Sequence, residues 1–148
     1  YGVVNPGNYK VLFGTNQNEL IEAAGGLKEG CEKVISGGPM MGFAMYTTDT
    51  PITKTSSSIL CMSKDEVSAC EPTACINCGR CVDACPSRII PSRLADFAER
   101  HDEEAFLKFN GLECVECGSC SYVCPAKRQL KQAIGSMRKT ALANKKKK

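Results

Sequence analysis

Eight of the chain's 11 cysteines stand in two short runs of one pattern. The first is Cys75-Ile-Asn-Cys78-Gly-Arg-Cys81-Val-Asp-Ala-Cys85-Pro86 and the second Cys114-Val-Glu-Cys117-Gly-Ser-Cys120-Ser-Tyr-Val-Cys124-Pro125. Both read C-x2-C-x2-C-x3-C-P without a mismatch. Thiols three residues apart in one loop are poorly placed to bridge one another, so the runs point to metal ligands rather than a disulfide framework. Structural zinc takes four donors, generally as two separated C-x2-C pairs, and two triplets with two further cysteines overfill such a site. A Rieske centre needs two histidines, whereas the chain holds only His101, which reads as a helix-face residue. The spacing is that of bacterial ferredoxins, in which three cysteines at steps of three wrap three corners of a 4Fe-4S cubane. The fourth corner must be reached from elsewhere. In two-cluster ferredoxins the fourth cysteine of each run serves the other cluster. That assigns Cys75, Cys78, Cys81 and Cys124 to one cluster and Cys114, Cys117, Cys120 and Cys85 to the other.

Other residues suit that chemistry. Gly79 and Gly118 hold matching positions where backbone must come close to sulfide and offer it N–H groups. Pro86 and Pro125 redirect the chain after each run. Ile76, Val82, Ile89, Val115 and Val123 are the expected apolar shell that limits water. Cys31, Cys61 and Cys70 read as small buried hydrophobes, with Cys70 near enough to the first run to be a spare ligand. Such cysteine usage indicates a reducing compartment.

Composition excludes several classes. With 148 residues, 43% hydrophobic and 24% charged, the chain is in globular proportion. Its longest apolar stretch, Gly37 to Tyr46, is broken by Pro39 and is about half of the roughly 20 residues that span a bilayer. No charged segment leads into an apolar run, so no signal or transit peptide is expected. The chain starts on Tyr1 rather than Met, as a piece of a longer protein would. No hydrolytic triad, phosphate-cradling loop or paired catalytic carboxylate is recognisable. Gly37-Gly38-Pro39-Met40-Met41-Gly42 fits neither G-x-G-x-x-G nor a P-loop and reads as a turn against a sheet. Charge is unevenly placed: residues 1–116 carry 10 Lys/Arg and all 16 Asp/Glu, residues 117–148 nine Lys/Arg and no acid.

Residues 1–62 read as a small α/β unit. Tyr1–Val4 and Tyr9–Phe13 flank the turn residues Asn5-Pro6-Gly7-Asn8, which predicts a hairpin. Thr15 or Asn16 can cap a helix bearing Leu20, Ile21 and Ala24 and closed by Gly25-Gly26. Lys33–Ser36 and Ile59–Met62 are predicted strands, giving a β-grasp-like sheet with one covering helix. Ser63-Lys64-Asp65-Glu66 can start a short helix at a domain boundary. Beyond it the chain is predicted helical outside its cysteine loops. Ser92 can cap a helix with Leu94, Phe97, Ala98 and His101 on one side, and Asp102 a second with Ala105, Phe106 and Phe109. Leu130, Ile134, Met137 and Leu142 then keep helical spacing.

The order Gly14-Thr15, Leu20-Ile21-Glu22-Ala23-Ala24-Gly25-Gly26, Ile35-Ser36-Gly37-Gly38-Pro39-Met40-Met41-Gly42, Pro51-Ile52-Thr53-Lys54 and then the paired cysteine runs resembles the C subunits of the Rnf electron-transport complexes. The resemblance extends from about Asn5 to Leu142. It implies an α+β chain: a soluble ligand-binding β-grasp (SLBB) module over residues 1–62, an α-helical ferredoxin domain with two 4Fe-4S clusters over residues 63–142, and a basic tail over 143–148. The 28 residues between Cys85 and Cys114 fit that ferredoxin type better than the compact bacterial one. In that family the complex exchanges electrons between ferredoxin and NAD and couples this to ion movement across the membrane. The C subunit is the peripheral member taken to hold FMN and the NAD(H) site, in an upstream nucleotide-binding domain outside this chain. What the resemblance implies for this chain is electron relay without its own reaction with NAD. It also implies the other Rnf subunits as partners, ferredoxin indirectly, and the cytoplasmic face of the bacterial cell membrane, reached through the complex. The cobalamin reductases of propanediol metabolism share a similar layout and stand as an alternative. Complex I flavoprotein subunits share the β-grasp module but carry one cluster. The tail from Lys127 to Lys148 is expected to dock an acidic partner surface or anionic headgroups. A nucleic-acid-binding module with structural clusters is a further alternative. Only Tyr122 lies near for base stacking, so no nucleic-acid partner is expected.

Overall fold

A computed structural model describes residues 2–147 and separates residues 1–69 from residues 70–148 as two units. The fold is α+β, with a small antiparallel sheet and one helix in the first unit and helices alone in the second. Among the described residues no helix is long and apolar enough to cross a membrane.

In the first unit Asn16 caps α1 (Gln17–Ala23), its side chain accepting from the Asn18 N–H. The expected glycines close the helix, Gly25 and Gly26 both at positive φ. Strands β1 (Lys33–Ser36), β2 (Phe43–Ala44) and β3 (Ile59–Met62) form a sheet of order β2-β1-β3. Ile35 pairs with Ala44 on one side and Leu60 on the other. Central β1 is buried from Val34 to Ser36, and Ile21, Ala24, Ile35, Ile52 and Cys61 make the core. The Gly37–Gly42 element is the turn between β1 and β2, as read from the residues. A Cβ on Gly42 would lie 2.5 Å from the Gly38 oxygen and 2.7 Å from Ile35 Cγ2, so only glycine closes it.

Two expectations fail in this unit. The hairpin across residues 1–13 does not form, Tyr1 itself lying outside the described residues. Gly2 N donates to Cys61 O, Lys28 N to Gly2 O, Val4 N to Gly26 O and Asn5 N to Ala24 O. The backbone groups that a hairpin needs are thus committed to the end of α1 and to β3. Residues 9–13 are left without a strand partner, with Leu12 and Phe13 exposed. Ser63–Glu66 starts no helix either. Asp65 is buried instead, paired with Lys33 Nζ and accepting from Ser68 N, while its own N–H donates to Glu32 Oε2 at 2.7 Å. Side-chain bonds of this kind compete with helix.

The second unit contains α2 (Arg80–Asp83), α3 (Pro91–Glu99), α4 (Glu103–Lys108), a 3-10 turn (Gly111–Glu113), α5 (Ser119–Tyr122) and α6 (Leu130–Lys146). Ile89, Leu94, Ala95, Ala98, Phe106, Cys120, Leu130, Ile134 and Met137 are its core. Ser92 is not the cap of α3. The helix starts at Pro91, whose fixed φ and missing N–H suit the first helical position. His101 is not on a helix face. It is left-handed at φ +56, its N–H donating to Ala98 O and the next N–H, from Asp102, to Phe97 O, which closes α3 in a Schellman arrangement. Asp102 then caps α4, as expected, through Ala105 N at 2.9 Å. On α6 the buried stripe runs Leu130, Ile134, Met137, Ala141. Leu142, expected inside, is exposed, because the 4-3-4 spacing selects Ala141. Residues 143–146 of the expected tail belong to α6.

Phe106 has no exposed surface, so Phe106→Ala should cost about 3–5 kcal/mol in denaturant unfolding of the second unit. In the first unit, the hydrogen bond from Lys33 holds the Asp65 carboxyl below its ordinary range. A depressed folded pKa contributes stability above the unfolded value of about 3.9 and loses it as pH falls through the folded one. Asp65→Asn should therefore lower the melting temperature at pH 7 and converge on wild type in acid; a gap constant down to pH 3 would contradict the pairing.

Candidate metal centres

The two cysteine runs lie 39 residues apart and repeat one backbone. Asn77 and Glu116 both have φ +54, Gly79 and Gly118 +78 and +84, Arg88 and Lys127 +52 and +54. Gly79 and Gly118 precede α2 and α5 and accept from the N–H groups three and four residues on. After the fourth cysteine, Arg88 N donates to Cys85 O at 3.1 Å and Lys127 N to Cys124 O at 3.2 Å. Turns mixing right- and left-handed residues bring successive N–H groups to one concave side, the cradle found at many phosphate and iron–sulfur sites. One such group already meets a thiol: Glu116 N donates to Cys114 Sγ at 3.4 Å. At Gly79 it is the left-handed backbone alone that favours glycine, because a Cβ there would meet nothing within 4 Å.

Two cavities result. One is lined by Cys75, Cys78, Cys81 and Cys124, the other by Cys114, Cys117, Cys120 and Cys85. Both are small and partly open to solvent. Their further walls correspond when the runs are exchanged: Ala126 with Ser87, Arg128 with Ile89, Leu130 with Pro91, Ser92 with Lys131. No disulfide engages any of the 11 cysteines.

Burial pushes the Cys120 thiol up to about 11 and raises Cys114 also, against the hydrogen bond from Glu116. Hydrogen bonds with Ser119, whose Oγ lies 3.5 Å from the sulfur, hold Cys117 below the ordinary thiol range. Thiols so crowded ionise in company with a cation. Among the described residues no three His, Cys, Asp or Glu close on a point where one ion would sit. A cubane takes its thiolates on separate irons, so quartets of soft sulfur donors around a small cavity suit it.

The apolar shell differs from expectation. Ile76 and Val115 do line the two cavities, at the rim, where they stay 65% and 55% exposed, whereas Val82 and Val123 line neither. The inner walls are Ile89, Pro91, Ala126, Leu130 and Ile134. Of these only Ile89 was expected as shell, although the α6 stripe signalled that Leu130 and Ile134 face inward. Arg128 was missed as well. Its guanidinium is 2.9 Å from Asp96 Oδ1 and 2.9 and 3.0 Å from the Glu99 oxygens. Burial works against its charge, yet those bonds outweigh it and raise the guanidinium pKa. The outlying cysteines and His101 line neither cavity. Cys61 is buried, its thiol raised by burial and then by Cys31; Cys31 and Cys70 are half-buried.

Comparison with known proteins adds two domains. The 4Fe-4S dicluster domain matches residues 74–128 and the SLBB domain residues 2–44. The chain is 48% identical over 133 residues to the C subunit of the proton-translocating ferredoxin:NAD(+) oxidoreductase complex of Clostridium ljungdahlii, covering 89% of this chain and 29% of that protein. It is 39% identical over 145 residues to the Na(+)-translocating counterpart of Acetobacterium woodii, covering 98% and 33%. With the C subunit of the ion-translocating oxidoreductase complex of Methanosarcina acetivorans it shares 46% over 132 residues, covering 89% and 30%. The chain thus spans about a third of the length of these curated relatives.

Gly118→Ala forces a Cβ into φ +84 and should cost about 1–2 kcal/mol. Lys127→Gly, at φ +54, should be neutral or stabilising by up to about 1 kcal/mol. Urea unfolding of the two variants reads the opposite signs; equal signs would mean the left-handed turns carry no strain.

Proposed function

The chain is homologous to the C subunits of the ion-translocating ferredoxin:NAD(+) oxidoreductase complexes, and on that premise we propose that it relays electrons within such a complex. Cys75, Cys78, Cys81 and Cys124 hold one 4Fe-4S cluster and Cys114, Cys117, Cys120 and Cys85 the second. The observation that supports this ligand set is that each cavity is lined by three cysteines of one run and the fourth of the other. Clusters bound there supply reversible one-electron transfer.

The chain's own residues do the rest. Eight thiolates would fix the clusters, and the left-handed turns at residues 77–79 and 116–118 offer N–H groups to the resulting negative charge. Ile89, Leu130 and Ile134 keep water from the inner walls, which together with hydrogen bonding sets the potential. Helices α3 and α6 share the core against which Cys81, Cys85, Cys114 and Cys124 pack.

On this reading FMN and NAD(H) bind in parts of the relatives' length that the chain does not span. Its partners are the other subunits and, indirectly, ferredoxin, with the membrane surface met through the complex on its cytoplasmic face. The relatives and the dicluster domain favour this over a cobalamin reductase or a nucleic-acid-binding module.

Anaerobic reconstitution with iron and sulfide should yield about eight irons per chain; zinc or no metal would refute the relay. Crossing is read by paired substitutions. Cys75→Ala with Cys124→Ala should leave about four irons, whereas Cys75→Ala with Cys85→Ala should leave few. The reverse pattern would mean that each run fills its own site.

A further inference from the structure

We infer that Arg128 is the positioning residue of the first cluster site: it ties the segment that delivers Cys124 to α3. The inference rests on the crossed ligand set proposed above.

The two sites share a backbone and differ in how the incoming fourth cysteine is anchored. For the second site the anchor is apolar. Four residues after Cys85, Ile89 is buried in the core, and Pro91 behind it starts α3 with no exposed surface. The matching position after Cys124 is Arg128, whose side chain is only 11% exposed. An arginine cannot enter an apolar core, and a cation held so deep needs partners. Asp96 and Glu99, one turn apart on α3, supply them through one nitrogen, Nη2, at 2.9 to 3.0 Å. Arg128 also lines the first cavity, so the tether stands in the wall of the site it serves.

Ion pairs between exposed groups contribute little, and Glu99 is largely exposed. The buried guanidinium makes this case different: hydrogen bonds between charged groups are strong, and a buried charge left without partners destabilises its surroundings. Ala126 and Leu130 flank Arg128 and are buried themselves, so the segment keeps its general course without the tether. What the tether adds is the fixed approach of Cys124.

The test uses the full chain reconstituted anaerobically, with iron content and the rate of iron release to a ferrous chelator as readouts. Arg128→Gln should release the first site's iron about tenfold faster, the lower end of the effect of removing groups that orient a metal ligand. In a Cys75→Ala background, where the first site is already lost, Arg128→Gln should change nothing. In a Cys114→Ala background it should speed release of the remaining iron. Arg128→Glu paired with Glu99→Arg should restore the slow rate. Unchanged release from Arg128→Gln, or equal acceleration in both backgrounds, overturns the inference. If Arg128→Gln loses helicity by circular dichroism, the charge-swapped pair decides, and failure to recover slow release overturns it. Wild type without iron would instead refute the cluster reading itself.

Discussion

The exchange of one cysteine between the runs is the constraint on which the second unit turns. Each cavity draws three sulfurs from its own loop and one from the loop 39 residues away. Neither loop can move away from its partner without opening both cavities. That geometry needs the segments after Cys85 and Cys124 to be held at fixed places, which is what α3 and α6 do. Leu94, Phe106 and Ile134 have no exposed surface, and Cys120 of the second run is itself part of the core. Packing and the placement of the cysteines are therefore one task. Any change that loosens α3 against α6 reaches both loops.

The core that performs this task is small, and small domains bury too little apolar surface to be very stable alone. Proteins in that position commonly draw folding free energy from a metal. The structure has the matching signature: strained left-handed residues that are not glycine, namely Asn77, Arg88, Glu116 and Lys127, at equivalent points of both loops. Arg88, Glu116 and Lys127 each cost of order 1–2 kcal/mol there. Their repetition argues that the strain is compensated at one kind of place, where N–H groups converge around the cysteines.

Much of this was legible because it depends on local chemistry. Asn16 and Asp102 cap helices through their own side chains, and the Leu130-Ile134-Met137 spacing alone places α6 against a core. The cysteine spacing forecast two sites because three thiols at steps of three suit three corners of a polynuclear centre. What was not legible is settled by competition between distant groups. The residues 1–13 hairpin lost to pairing with residues 24–28 and Cys61. Ser92 lost the cap of α3 to Pro91, where fixed backbone outweighs a side-chain acceptor. Val82 and Val123 look like shell by their hydrophobicity, yet neither lines a cavity, and Leu130 and Ile134 of α6 stand there instead. Arg128 left one trace, a cation where the first run has Ile89. A charge standing where the other run has a buried apolar side chain points to an interaction with something outside the repeat.

The uneven charge of the chain gains a different meaning once the second unit is described. Residues 117–148 hold no acid, and a docking surface for an acidic partner or lipid was the natural expectation. Two of those cations are instead turned inward. Arg128 meets Asp96 and Glu99, and Arg138 meets Glu116 at 3.2 Å and the Leu112 carbonyl at 3.2 Å. Asn144 adds a bond to Glu103. The acids before Cys117 and the bases after it are thus partly one set of contacts, joining the segment that leads into α6 to α3, and α6 itself to α4 and the second cysteine loop. Arginine rather than lysine makes both ionic links, as its forked, weakly hydrated cation is the better choice where burial is substantial. Exposed Lys139, Lys145, Lys146 and Lys147 remain for solvent or a partner. Charge segregation along a sequence can therefore report an internal interface before it reports an external one.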